Sequence, residues 1–551
     1  MADADHCQMI RSDAPAKARH RPSAMLALVL LVSMAAQVVA AADSAPPQTD
    51  STLPRFDVFQ YVVSGNSVLG ELAIELAVSP HMGERKTLRD VEAARAALEK
   101  AYQDAGYLTV VVSIPEQSVD TGEVALQVVE GVIDRLRVKG AGFTLPSAVK
   151  AAVPELAEGK VPNFPTLQAQ VSALNRGADA RVTPVLKAGA LPGTVEVQLD
   201  VDDQLPLHGS VELNNRQTPN TTATRLSASL RYDNLWQRRH SLSLTLQAAP
   251  QRLPDARVAT LSYVLPVGQG GDVMSLYAVH SRSQFASLAN APGLGLLGNS
   301  DTLGMRWSKA FGAGSEMPQS VSAGLDYKNI RQTVTVRDGG SSDSPIAYAP
   351  LVASYNASLV DGDRLSGLDL TVTSGIRGLL GNSDARFAAK RVGASANFLA
   401  LRAGLAHTEP LGRWAVHGKL DMQHGTGALV PTEQMVAGGA DSVRGYLEGE
   451  RAGDSGLRGM LELRSPRVAL AGANSEWRIG GVLFADVARL RILQAVAPQP
   501  GFHALRGAGV GLRLNAPAGL GVEADLARAF VAGDTTRQGA LRLHARAVWA
   551  Y

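Results

Sequence analysis

The chain of 551 residues holds one cysteine, Cys7. It lies ahead of any plausible mature start, so the mature chain has no disulfide, no thiolate nucleophile and no cysteine metal site. A cysteine-free exported chain also suits passage through an oxidising compartment without mispairing. Charged residues make up 19% and aromatics 5%, and the formal net charge is +2. That balance gives no bulk attraction to nucleic acid. The eleven histidines are scattered without ligand spacing, so no metal site is expected. No nucleotide cradle is visible, and no cofactor is expected. "VGQGGD" (267–272) is glycine-rich but joins two strand patterns, so it reads as a hairpin turn. "GDSG" (453–456) has the letters of a serine-protease nucleophile region without a base in a matching arrangement. Beyond residue 40 no segment is apolar and long enough to cross a membrane as a helix.

What is present begins with an export signal. Lys17, Arg19, His20 and Arg21 form a positive region, and "SAMLALVLLVSMAAQVVA" (23–40) is an apolar core followed by small residues. Residues 1–42 are therefore expected to be a cleaved signal peptide, and 43–55 a polar, proline-rich linker. From Phe56 to Asp203 helix and strand periodicities mix. Ser67 is placed to cap a helix over 68–78. Thr87 and Asp90 have capping-box spacing ahead of Val91, Ala94, Leu98 and Tyr102 on one helical face. Gly106 stands where a helix-stopping glycine belongs. The order β-α-α-β-β over 56–131 repeats over 132–203, an internal repeat of about 75 residues.

After Pro206 short alternating segments take over. "TRLSASLRY" (224–232) and "HSLSLTLQA" (240–248) place leucines on one face and polar residues on the other. The final "LRLHARAVWAY" alternates in the same way and ends on Trp549 and Tyr551. Strands with one apolar and one polar face, following an export signal, predict a closed barrel across a membrane. The scarcity of aromatics weakens the interface girdles such a barrel normally carries.

At this point the chain resembles the two-partner secretion outer-membrane transporters (TpsB family, hemolysin-activator type). The residues that carry the resemblance are 102–140, the hairpin 261–283, the loop "MVAGGADSVRGYLEGERAGDSG" (435–456) and the strand "GVLFADVA" (481–488). Ala488 stands where the family's strand motif usually ends in glycine. The resemblance implies two periplasmic α+β POTRA domains, 56–131 and 132–203. They would precede an all-β transmembrane barrel over 206–551, of 16 antiparallel strands. About 22 residues per strand and connection fits spanning strands of roughly 9–11 residues.

The resemblance further implies that loop 435–456 folds into the barrel. Val443, Arg444, Gly445 and Tyr446 would form its tip, and Phe484 and Asp486 the wall partner. Arginine offers a planar fork to a carboxylate, and a partly screened pair would fix loop position rather than add stability. Trp549 and Tyr551 would be the C-terminal assembly signal. The implied function is translocation of a large partner exoprotein of hemolysin or adhesin type, without ATP and without catalysis. Implied partners are that exoprotein, outer-membrane lipid and the barrel-assembly machinery during biogenesis, with the transporter a monomer. Two further readings are a barrel assembly factor and a barrel hydrolase. The short segment before Phe56 implies no plug helix, leaving closure at rest to loop 441–456 alone.

Overall fold

The computed structural model describes residues 54–268, 271–287, 295–312, 315–331, 333–335, 341–343, 345–470, 476–496 and 499–551. The expected signal peptide, most of the linker and the question of a plug helix lie outside them. The chain divides into two compact units at Leu205 and Pro206.

The first unit contains two repeats, each with its own core. In repeat one, β1 (Phe56–Val58) pairs with β3 (Gly83–Lys86). The second half of the same run, β2 (Gln60–Ser64), lies parallel to β5 (Glu123–Glu130), which is antiparallel to β4 (Val110–Ser113). Helices α1 (Glu71–Val78) and α2 (Leu88–Asp104) cover one face. The Thr87–Asp90 capping box forms, and Val91, Ala94, Leu98 and Tyr102 are buried, as their periodicity requires.

Ser67 does not cap α1, which starts at Glu71 behind Gly70. Instead, the Ser67 and Val68 N–H groups donate to the Glu130 carboxylate at 2.7 and 3.1 Å. An acceptor sixty residues away wins because a full carboxylate is the stronger partner.

Repeat two has the same plan. Strand β6 (Val132–Lys139) is parallel to β8 (Thr194–Asp203), which is antiparallel to β7 (Ala180–Ala188). Helices α3 (Pro146–Ala152) and α4 (Phe164–Leu174) pack on this sheet. The repeats match in detail. Gly65 and Gly140 both have positive φ, and a Cβ on either would strike a carbonyl oxygen of the central strand, that of Val128 or Val201. Where Glu130 collects N–H groups in repeat one, Asp203 collects those of Gly142, Phe143 and Thr144 at 2.7–3.0 Å. The Phe164 N–H donates to the Gly106 carbonyl at 2.9 Å, joining the repeats.

The second unit is a closed antiparallel barrel from Leu207–Asn214 to Leu541–Ala550. It has 16 strands. Ile346–Tyr348 and Pro350–Asp361 are two parts of one strand, since both pair with Gln319–Arg331. Ser455–Arg464 and Val468–Ala469 likewise share Arg478–Arg491. Leu230, Leu244, Leu261, Leu276 and Leu303 point outward and are exposed, as a lipid-facing band requires. The turn at 267–272 joins strands that meet at Val267 and Asp272, a hairpin as expected.

The barrel closes where Leu541–Ala550 meets Leu207–Asn214 over only five residue pairs. Beyond them Tyr551 and Gly209 exchange backbone hydrogen bonds of 2.9 and 3.1 Å.

Among the described residues, one α-helix departs from an all-strand barrel. Helix α5 (Asp384–Lys390) lies in the connection between Arg364–Gly375 and Leu399–Leu411. Its Phe387 packs with Tyr348, Phe398, Ile330, Leu429 and Val430 in one buried cluster. The connection that carries α5 thus shares a core with the long connection at Leu429 and Val430, ahead of loop 441–456.

Candidate functional site

The long connection between Trp414–Gly425 and Ser455–Arg464 holds the sequence-predicted tip. Met435–Ala437 pairs with Arg451–Gly453, so residues 438–450 hang from a two-stranded ladder. Gly438, Gly439 and Gly449 at its foot all have positive φ.

Arg444 is 1% exposed. Its Nε and one Nη donate to the two oxygens of Asp486, each at 2.8 Å, and its backbone N–H donates to the same carboxylate at 3.0 Å. The other Nη donates to Glu462 at 2.7 Å and to Asp525 at 3.4 Å. The guanidinium carbon lies 3.5 Å from the centre of the Phe484 ring. Phe484 and Asp486 share one face of their strand, which is why one forms the floor and the other the fork partner. Glu462 also holds Arg464 at 2.8 Å, and Asp525 holds Arg513 at 2.9 Å. The expectation of a partly screened pair is corrected: the arginine is buried among three carboxylates, because the loop and wall exclude solvent together.

The rest of the tip is equally fixed. The Gly445 N–H donates to His544 Nε2 at 3.0 Å, which sets that ring's acceptor nitrogen. Gly445 has φ of 98°, and a Cβ there would lie 3.1 Å from the Ala529 nitrogen. The Tyr446 hydroxyl donates to the Val531 carbonyl at 2.7 Å. Val443 is fully buried with Ala488, Leu490, Leu505 and Ala529. Trp549 and Tyr551 are elsewhere, exposed on the outer face.

Several site residues escaped the sequence reading. Besides Glu462, Asp525 and His544, a row of glycines at 507, 509 and 511 clears the wall under the tip. A Cβ on Gly507 would lie 2.0 Å from the Arg444 carbonyl oxygen. The alternating glycines of "GAGVG" were the available signal.

Acidic residues on either side of the tip are anchors. Glu433 accepts from Lys328 at 2.6 Å and from the Tyr348 hydroxyl at 2.7 Å. Glu450 accepts the N–H groups of Thr535 and Thr536 at 2.6 and 2.8 Å. Asp441 pairs with Arg216, and fully buried Asp454 with Arg391. Asp454 of "GDSG" is thus committed to structure, and Ser455 opens a barrel strand, accepting from the Gly425 N–H at 3.1 Å.

Paired α+β repeats ahead of a closed strand barrel with an inward-folded loop define an outer-membrane transporter class with periplasmic POTRA domains. The profile described as haemolysin secretion/activation protein ShlB/FhaC/HecB matches residues 193–514, and that of the ShlB-type POTRA domain matches residues 56–131. The chain belongs to the ShlB/FhaC/HecB family, outer-membrane transporters that secrete partner proteins. This is a transporter family and not an enzyme family. Outer membrane transporter CdiB of Dickeya dadantii (strain 3937) is 23% identical over 424 residues, 76% of this chain and 74% of that protein. Two solved structures share the fold. CdiB from Escherichia coli has a TM-score of 0.59 at 19% identity, covering 93% of each chain. CdiB from Acinetobacter baumannii has 0.56 at 15%, covering 96% of this chain and 97% of that one.

Proposed function

We propose that the chain exports one large exoprotein of hemolysin or adhesin type through its barrel, without ATP. In this reading residues 1–42 are removed on export. Domains 56–131 and 132–203 capture the unfolded partner, and the barrel 206–551 passes it outward. The observation that supports the reading is the loop tip held at the wall by Arg444. A lumen occupied by a segment of its own chain, hung on glycines, suits a conduit that clears when cargo arrives. Capture would proceed by adding a cargo strand to a sheet edge. Pro184 removes a donor from β7, and the Ile133–Lys160 backbone bond occupies part of β6. Strands β2 and β4 are the better templates. Folding of the partner outside would bias the motion, since folded segments do not re-enter.

Phe484 and Asp486 serve as the wall partner of Val443, Arg444, Gly445 and Tyr446. Trp549 and Tyr551 serve as the signal read by the barrel-assembly machinery. The transporter acts as a monomer in outer-membrane lipid. A second reading, insertion of other barrels, is favoured by the five-pair seam, the kind of short junction that opens sideways. Comparative proteomics of culture medium and outer membranes, with and without the gene, separates the two. Loss of one secreted protein supports export, loss of several barrels supports insertion, and no loss refutes both. The hydrolase reading predicts that Ser455→Ala abolishes function. The export reading predicts that this variant secretes normally while Arg444→Ala does not.

A further inference from the structure

The outer face of the barrel carries an arrangement that the transport path does not use. Leu207 follows the periplasmic domains, so odd-numbered strands run outward and Ala256, Ser287 and Arg331 lie toward the cell exterior. In strands Ala256–Val267, Asp272–Ser287, Gly295–Phe311 and Gln319–Arg331, one cross-strand row reads Arg257, Arg282, Asn299 and Arg331. The inward set is buried: Val258, Ser281, Ser300 and Ile330 are each 3% exposed or less. The arginine row is exposed and shares its face with Leu261, Leu276, Leu303 and Tyr327. It therefore faces lipid. Asn299 lies eight residues outward of Trp307 along its strand and twelve outward of Phe311, both exposed aromatics. At about 3.4 Å per residue, tilted by roughly 40°, the row sits some 20–30 Å above them. That is the outer border of the apolar band.

The row is short of anions. Arg257 and Arg282 stand directly opposite one another in the ladder, and among the described residues neither forms an ion pair. Like charges in that position repel. Among the described residues on that face of the four strands, Asp301 is the one carboxylate beside the row; it is engaged by His280 at 2.6 Å and reached by Arg331 only at 3.9 Å. On another part of the rim, by contrast, Arg489 and Arg491 rest over the Phe502 ring at 5.6 and 5.8 Å. Facing lipid at interface depth, the row has phosphate headgroups as its nearest source of anions. Guanidinium forks match phosphate oxygens bidentately, and three of them within four neighbouring strands, with Asn299 between Arg282 and Arg331, fit a headgroup with more than one phosphate.

We propose that Arg257, Arg282 and Arg331 form a docking row for the phosphate groups of a phosphorylated glycolipid in the outer leaflet. The lipid's acyl chains lie along Leu261, Leu276 and Leu303, and its phosphates relieve the Arg257–Arg282 repulsion.

Native mass spectrometry of the full chain in detergent tests this with three probes: a bisphosphorylated glycolipid, its dephosphorylated form, and inorganic phosphate. The wild type is expected to retain the bisphosphorylated lipid at least ten-fold better than the dephosphorylated one. Arg257→Gln/Arg282→Gln/Arg331→Gln loses that preference, Arg257→Lys/Arg282→Lys/Arg331→Lys keeps part of it, and Arg489→Gln/Arg491→Gln keeps all of it. Heat-modifiable migration checks that each barrel is closed. If the triple glutamine variant does not close, Arg257→Gln alone is used and should weaken retention several-fold. Equal retention of both lipids, or retention unchanged in the glutamine variants, overturns the proposal. Displacement of the lipid by millimolar inorganic phosphate also overturns it, in favour of a free-anion site.

Discussion

Replacing Arg444 by methionine keeps most of the side chain's volume and removes its charge. Three carboxylates face the guanidinium, but they do not lose equally. Glu462 keeps Arg464 at 2.8 Å, and Asp525 keeps Arg513 at 2.9 Å. Asp486, 1% exposed, retains only the Arg444 backbone N–H. The cost is therefore that of one stranded buried charge, about 3–5 kcal/mol, rather than three times that. At about 1.4 kcal/mol per decade, the balance between docked and released tip shifts by roughly two to three and a half powers of ten.

The chain's only cysteine is Cys7, ahead of the expected mature start, so Ser442→Cys supplies a unique reporter. Ser442 is 8% exposed in the docked tip. Maleimide labelling of Ser442→Cys should be slow, and at least a hundred-fold faster with Arg444→Met added. Adding Asp486→Leu to that pair should recover part of the loss, because the stranded charge is gone. Labelling within three-fold of the parent, with unchanged single-channel behaviour, would refute the idea that Arg444 holds the tip.

Two other perturbations probe different parts of the chain. Gly507→Ala places a Cβ against the Arg444 carbonyl oxygen, so the tip should be displaced while the barrel still closes, read as fast Ser442→Cys labelling with normal heat-modifiable migration. In the first repeat, burial pushes the Glu130 carboxyl up, but hydrogen bonds from Ser67, Val68 and Tyr102 outweigh it and hold the group below the usual range. A depressed folded value stabilises above the unfolded pKa of about 4.3 and is lost as pH falls through the folded value. Melting of residues 54–205, followed by circular dichroism, should therefore weaken below about pH 4, and Glu130→Gln should flatten that decline. An unchanged acid slope in the variant would assign the loss to other groups, Asp203 first.

What the sequence revealed and concealed follows from the range of the contacts. Thr87 and Asp90 are three residues apart, and Val91 to Tyr102 follow helical spacing, so α2 was legible. Strand alternation was legible because each outward leucine repeats every second residue. Arg444 and Asp486 came from motif context, and they do meet at 2.8 Å. Glu462 and Asp525 could not be assigned, since their place beside Arg444 depends on the register of four strands. That register pairs Glu462 with Phe484, Phe484 with Gly509, and Gly511 with Asp525. Helix α5 was missed because seven residues carry little periodicity and its one buried side chain, Phe387, packs on distant strands. The anchoring role of the long loop's acidic residues was illegible for the same reason. Charge is local, but the cations that pair with it, Lys328, Arg391 and Arg216, come from elsewhere in the barrel.

Those anchors bear on how cargo passes. If loop 426–454 left as one body, it would break the contacts of Glu433, Asp441, Arg444, Glu450 and Asp454 together. Asp441 is exposed and adds little, but at a few kcal/mol for each of the other four buried charges the total is comparable to the roughly 5–15 kcal/mol that holds a whole domain folded. The structure offers a cheaper division. The ladder of Met435–Ala437 with Arg451–Gly453 separates a base, holding Glu433 and Asp454, from a tip that begins and ends at glycines of positive φ. A tip that swings alone releases Arg444 and its neighbours and leaves the base in place. Glu433→Gln then distinguishes the two motions. It removes the charge that Lys328 and Tyr348 hold at the base, so whole-loop exit predicts faster labelling at Ser442→Cys. It also predicts that its effect multiplies that of Arg444→Met, as independent losses in one equilibrium do. Tip motion predicts a labelling rate within three-fold of the parent for Glu433→Gln and no added effect in the double variant. We expect the second result. A multiplied effect would mean that the ladder and its glycines do not uncouple tip from base.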